Sequence, residues 1–191
     1  MLQKELERIK RVSDLLVSAH SMLRDRYARR AFLIDITILG ATLWLTAMAF
    51  VDPSIGVELT PHGLTKDLWL GLLSVVAFFL SIVQIRVDWK GKEYAHARAC
   101  EAYSSVKRET VNLLAQEKLD ELEYKRILDK YESAGTLSIP IPDAEFNTLK
   151  SKHKIKVEIS RYLDDKPAAS PTLLKIKLWC RDNIGGSNEK Q

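Results

Sequence analysis

The chain lacks the short patterns that mark most enzymes. No glycine-rich phosphate loop, Gly-x-Ser-x-Gly elbow, His-Glu-x-x-His helix or paired-cysteine motif occurs in its 191 residues. Those spacings cradle a phosphate, expose a nucleophile or ligate zinc, so no catalytic residue and no cofactor is assigned. Cysteine is scarce: Cys100 and Cys180 stand alone and far apart. Two isolated thiols make neither a disulfide framework nor a good zinc site, and no metal is assigned. There is no internal repeat and no low-complexity run. A secretory leader has a short basic start followed at once by an apolar core; here some 30 residues of charged helical pattern come first.

Charge is missing from two stretches. Ala31–Val51 holds one charged residue, Asp35, and Leu68–Ile85 holds none. A bilayer crossing needs about 20 apolar residues at a rise of about 1.5 Å each. A soluble core helix of that length would show a Lys and Glu stripe, and neither stretch does. Two transmembrane helices are therefore expected, over 31–51 and 68–86. The mean hydropathy of −0.13 conceals them, because most of the chain lies outside. Arg24, Arg26, Arg29 and Arg30 precede the first span, and Arg86, Lys90 and Lys92 follow the second. The connection between them, 52–67, has only Lys66. By the positive-inside rule both termini are cytoplasmic and 52–67 is an external loop. The cysteines then sit in reducing cytosol as free thiols. The net charge of +4 suits anionic headgroups or an anionic ligand without choosing between them.

The expected fold class is all-α: a two-span transmembrane helical hairpin extended by long cytoplasmic helices, assembled as a homo-oligomer. Residues 1–30 read as an amphipathic helix. Leu2, Leu6, Ile9, Leu16, Leu23 and Tyr27 follow a coiled-coil-like seam whose missing steps are filled by Ser13 and His20. Nothing breaks that helix before the first span, which Asp52-Pro53 ends. Thr65 is the expected cap of the second span. From 87 to 134 a single long helix is expected, on the order of 65–70 Å, stopped by Gly135. The segment 135–166 is a proline joint, Pro140 and Pro142, then a basic helix from Asp143 to about 164 with an inner stripe of Phe146, Leu149, His153, Val157, Ser160 and Leu163. The segment 167–191 is a C-terminal element from Pro171 to Ile184 and a disordered tail, Gly185–Gln191. Its Leu174-Lys175-Ile176-Lys177-Leu178 run alternates like a strand, which leaves helix or strand open.

Polar residues inside the spans are the first functional candidates. Asp35, Thr42 and Thr46 share one helical face, and Ser74, Ser81, Gln84 and Asp88 share another. Two spans cannot enclose a pore, but several copies can, with these stripes lining it; the plainer reading is hydrogen bonding between helices. Asp35 lies about one turn from the cytoplasmic edge, where Arg86 matches its depth, so an Asp35–Arg86 ion pair is expected, with a gate or proton sensor as the alternative. Trp89, His96 and Tyr103 are spaced by sevens, as are Ser13, His20 and Tyr27. These stripes can meet as a packing seam or hold a nucleotide base. Lys150, Lys152, His153, Lys154 and Lys156 are the anionic-contact candidates, for lipid headgroups, an acidic partner or a phosphate. No aromatic interleaving accompanies that charge, so nucleic acid is not an expected partner.

The layout resembles the SLATT family of bacterial two-span effectors. The resemblance covers most of the chain. It rests on the charged N-terminal helix ending in Arg29-Arg30, the two spans with a short loop, and the long helix with Trp89, His96, Ala99 and Tyr103. It also rests on Ile139-Pro140-Ile141-Pro142-Asp143-Ala144-Glu145-Phe146 and on Lys150 to Ser160. It implies a multi-pass protein of the bacterial inner membrane that acts in antiviral or inter-strain conflict. Such an effector assembles and breaches the bilayer when a partner, often through a nucleotide signal, senses infection. No fused nucleotide-recognition domain is visible, so the signal would reach the chain's own helices or come from a signalling protein. A membrane-anchored scaffold or sensor that docks a soluble partner without a pore is the alternative.

Overall fold

The computed structural model describes residues 2–116 and 119–184; the expected tail, 185–191, lies outside them. Every regular element among the described residues is a helix. They are α1 (Leu2–Phe50), α2 (Pro53–Glu58), α3 (Lys66–Val87), α4 (Trp89–Leu114), α5 (Glu121–Leu137), α6 (Asp143–Asp165) and α7 (Pro171–Asn183). The N-terminal amphipathic segment and the first apolar stretch form one unbroken helix, α1, as the absence of Pro and Gly before Ala31 predicts, and Gly40 is carried within it. The chain divides into two compact units, one of Met1–Met22 with Arg98–Gln191 and the other of Leu23–Ala97.

The first unit is a helical core. Leu6 and Ile9 of α1 are buried with Tyr103, Val106 and Leu113 of α4 and Ile127 and Ala134 of α5. Ser13 and His20 are also buried, so the two polar steps belong to the same seam as the leucines. The expected single helix over 87–134 is instead two helices. Asp120 accepts a hydrogen bond from the Leu122 amide at 2.9 Å and starts α5. The physical reason for the break is burial: α5 returns along α4, so Leu113 and Ile127 share one core, whereas one straight helix would leave both apolar stripes in water. Lys130 of α5 ties the pair together, 2.5 Å from Glu109 and 2.9 Å from Ser105. Gly135 does not stop α5, which runs on to Leu137. Ser138 caps it, its hydroxyl donating to the Ala134 carbonyl and reaching Tyr103 Oη at 3.3 Å. The C-terminal run is helix, not strand: α7 starts at Pro171 and buries Leu174, and it packs on α6.

The second unit holds the apolar stretches. Thr65 caps α3 through the Leu68 amide, as expected. The connection contains a short helix, α2, that the turn residues did not announce; Asp52 caps it, accepting from the Ser54 amide at 2.9 Å. The second apolar helix also breaks where none was expected. Asp88 adopts φ 48° and ψ 58°, the sole left-handed non-glycine conformation among the described residues. Its carboxylate accepts from the Gly91 amide at 2.9 Å, so one aspartate ends α3 and caps α4. A Cβ on Gly91 would lie 2.0 Å from Asp88 Oδ2, which is why glycine stands there.

α1 and α3 are long and apolar enough to cross a membrane. Only 11% and 6% of their apolar windows are buried. Phe32, Leu39, Leu43, Val75, Phe78 and Ile85 are exposed. A narrow stripe is covered instead, with Ala31 and Met48 on α1 and Ala77 on α3 fully buried.

Candidate functional site

The polar residues of the apolar helices divide into two classes. The four hydroxyls singled out in the sequence are satisfied within their own helices, as is that of Thr37. Thr42 donates to the Leu39 carbonyl at 2.9 Å, Thr46 to Thr42 at 2.8 Å, Ser74 to Leu70 at 2.8 Å and Ser81 to Ala77 at 2.9 Å. Thr42, Thr46 and Ser74 are exposed and Ser81 is half-buried. These hydroxyls therefore make no bond between α1 and α3 within one chain, and Thr42, Thr46 and Ser74 lie on open surface.

Asp35 forms the second class. Its Oδ1 accepts from Gln84 Nε2 at 2.5 Å, and its Oδ2 sits 2.7 Å from Lys90 Nζ. The expected Asp35–Arg86 pair is thus replaced by Lys90, with Gln84 as a second partner. The geometry gives the reason. Gln84 and Arg86 are two residues apart on one helix, about 200° around its axis. With Gln84 turned to Asp35, Arg86 points away and is exposed. Lys90 becomes available because the chain turns at Asp88. The Asp35 carboxylate in turn holds the Lys90 ammonium above its usual pKa, chiefly through their hydrogen bond. The amide and the ammonium satisfy the carboxylate inside an otherwise apolar run.

The heptad-spaced aromatics and histidines do meet, as crossed pairs. In the first unit His20 stacks on Tyr103 at 5.8 Å between ring centroids, with planes 15° apart. In the second, Tyr27 stacks on His96 at 5.5 Å and 5°, with the Lys92 ammonium 5.9 Å from the Tyr27 ring. His20, His96 and Tyr103 are buried and Tyr27 is half-buried, an arrangement that fits a packing seam. Trp89 is half-buried and stands outside both stacks. Among the described residues no three His, Cys, Asp or Glu side chains gather as a metal site.

The basic helix is not one patch. His153 turns inward: its Nδ1 lies 2.8 Å from Ser18 Oγ and its Nε2 3.9 Å from Asp14. Asp14 is also paired with Lys107 at 2.6 Å. His153 therefore belongs to the contact between α6 and α1 and leaves the set of outward anion contacts. The inner stripe holds through Leu149, whereas Ser160 is exposed and Ile159 is buried. The remaining lysines are exposed and part into two flanks, Lys150 with Lys154 and Lys152 with Lys156, because residues four apart share a helix face.

Sequence reading missed Asp14, Ser18, Lys107, Glu109 and Lys130. Asp14 and Ser18 are four apart beside the apolar seam of α1, which marks a polar flank. Nothing in one helix names its partner on another. Both cysteines are free, and Cys100 contacts the Val17 carbonyl at 3.7 Å. The chain matches no known protein-family pattern, no characterised protein and no solved structure.

Proposed function

We propose that this chain is a membrane effector that oligomerises and breaches the bacterial inner membrane in response to a conflict signal, as its resemblance to the SLATT effectors implies. In this reading α1 and α3 form a transmembrane hairpin with both chain ends in the cytoplasm, and several copies place their polar flanks around a shared path. One observation supports it above the rest. The apolar helices are covered over only 11% and 6% of their spanning windows, yet Thr42, Thr46 and Ser74 lie exposed on that surface. Lipid satisfies the exposed apolar residues. A neighbouring copy or a water-filled path suits the hydroxyl flank.

One feature favours the scaffold or sensor reading. Each of the four hydroxyls already bonds to its own helix and so needs no water. Induced expression separates the two, with dye entry and membrane potential as readouts. The effector reading expects dye entry and depolarisation, both reduced by Thr42→Val, Thr46→Val, Ser74→Ala and Ser81→Ala together. Intact membranes under induction and under infection, with the substituted protein still recruiting its partner, would favour the scaffold. Labelling of Cys100 and Cys180 by a membrane-impermeant maleimide tests the orientation. Both should react only once the cytoplasmic side is opened.

A further inference from the structure

The groove between α6 and α7 combines apolar walls with charge of one sign. It encloses about 600 Å³, and Ile155 and Ile159 of α6 and Trp179 of α7 wall it. Lys152 and Lys156 of α6 and Lys175 of α7 line it too, and among the described residues no carboxylate does. The acidic side chain nearest in sequence, Glu158, is neutralised elsewhere by Arg181 at 2.6 Å. Beside the groove, α7 carries Leu173, Ile176 and Trp179 at steps of three, exposed by 67%, 55% and 59%. Burying Leu174 against α6 fixes that helix so that these three face out.

We infer that this lysine-rimmed face of α6 and α7 docks on an anionic phospholipid surface, with lipid phosphate among Lys152, Lys156 and Lys175 and Trp179 at the level of the headgroups. An exposed face of Leu, Ile and Trp flanked by lysines is the pattern of helices that lie in a bilayer interface, where indole rings settle between apolar and wet surroundings. The rim charge is complementary to anionic headgroups. The inference rests on the membrane reading above for its choice of occupant. A chain held at a bilayer meets that surface at high effective concentration, which favours lipid over an acidic helix of another protein.

The test uses the whole chain reconstituted in vesicles whose phosphatidylcholine carries brominated acyl chains, with or without phosphatidylglycerol. Bromine quenches tryptophan that reaches the lipid. The share due to Trp179 is the difference between the wild type and Trp179→Phe. Trp44 and Trp69, each resolved from Trp89 by its own Trp→Phe difference, serve as internal reporters of the spans. The expected result is that Trp44 and Trp69 are quenched in both mixtures, while Trp179 loses roughly half its emission only with phosphatidylglycerol. High salt and the combined Lys152→Glu, Lys156→Glu and Lys175→Glu substitutions should abolish that loss and leave Trp44 and Trp69 quenched. Trp179 unquenched in both mixtures, or quenched equally in both and untouched by charge reversal, would overturn the inference. The first of these outcomes is also the one an acidic protein partner gives. If Trp44 and Trp69 were unquenched, the membrane reading itself would fail.

Discussion

At the scale of single residues, the informative pattern is which charge finds which partner. Asp35 could be singled out in the sequence because a carboxylate inside an apolar run needs an answer. The identity of the answering cation was not legible, because depth along a straight helix matched Arg86 whereas the turn at Asp88 delivers Lys90. Double-mutant cycles follow directly. Asp35→Ala and Lys90→Ala should couple, and Asp35→Ala and Arg86→Ala should add independently, as read from thermal unfolding in micelles. Coupling to Arg86 alone would contradict the geometry. Glu109 offers a pH test. The Lys130 hydrogen bond holds its carboxyl below the usual range. A depressed carboxylate contributes stability above its unfolded pKa of about 4.3, and that contribution is lost as the pH falls through the folded value. Glu109→Gln should therefore flatten the decline of Tm between about pH 5 and pH 3. A decline as steep as in the wild type would show that the pair is not linked to folding.

At the scale of elements, most helices could be read from periodicity and caps. The continuous α1, the Thr65 cap, the start of α6 at Asp143 and the start of α7 at Pro171 all agree with the pattern. The misses share a cause. Breaks marked by Pro or Gly signals are visible locally, but the break before α5 is imposed by burial against α4, and the one at Asp88 by a single aspartate whose left-handed backbone ends α3 and whose carboxylate caps α4. Gly135 misled for the converse reason: it sits within α5, where only Tyr103 Oη comes near, 3.9 Å from where a Cβ would be. The Asp88 device predicts a change of sign. Gly91→Ala should destabilise the wild type by about 1 kcal/mol, because the new methyl displaces the capping carboxylate. In an Asp88→Gly background no cap remains to lose, and the same substitution should stabilise by about 0.5–1 kcal/mol, as alanine does over glycine in a helix. Helical circular dichroism through thermal unfolding measures both. Destabilisation of equal size in the two backgrounds would remove Asp88 from its capping role.

At the scale of the whole molecule, the candidate site is legible in part. The polar stripe could be listed from spacing alone, because residues three, four and seven apart on a helix must share a face. Whether a hydroxyl bonds to its own helix, a neighbour or water depends on packing that spacing does not contain, and the basic helix was likewise divided by His153 turning inward. The account as a whole rests on α1 and α3 being embedded in lipid. Fractionation of expressing cells, with alkaline carbonate extraction and then transfer of the purified chain to detergent-free buffer, tests that most directly. The account predicts that the chain stays with the membrane pellet and aggregates once detergent is withdrawn. A chain released by carbonate that remains a monodisperse, fully helical particle in plain buffer would contradict it.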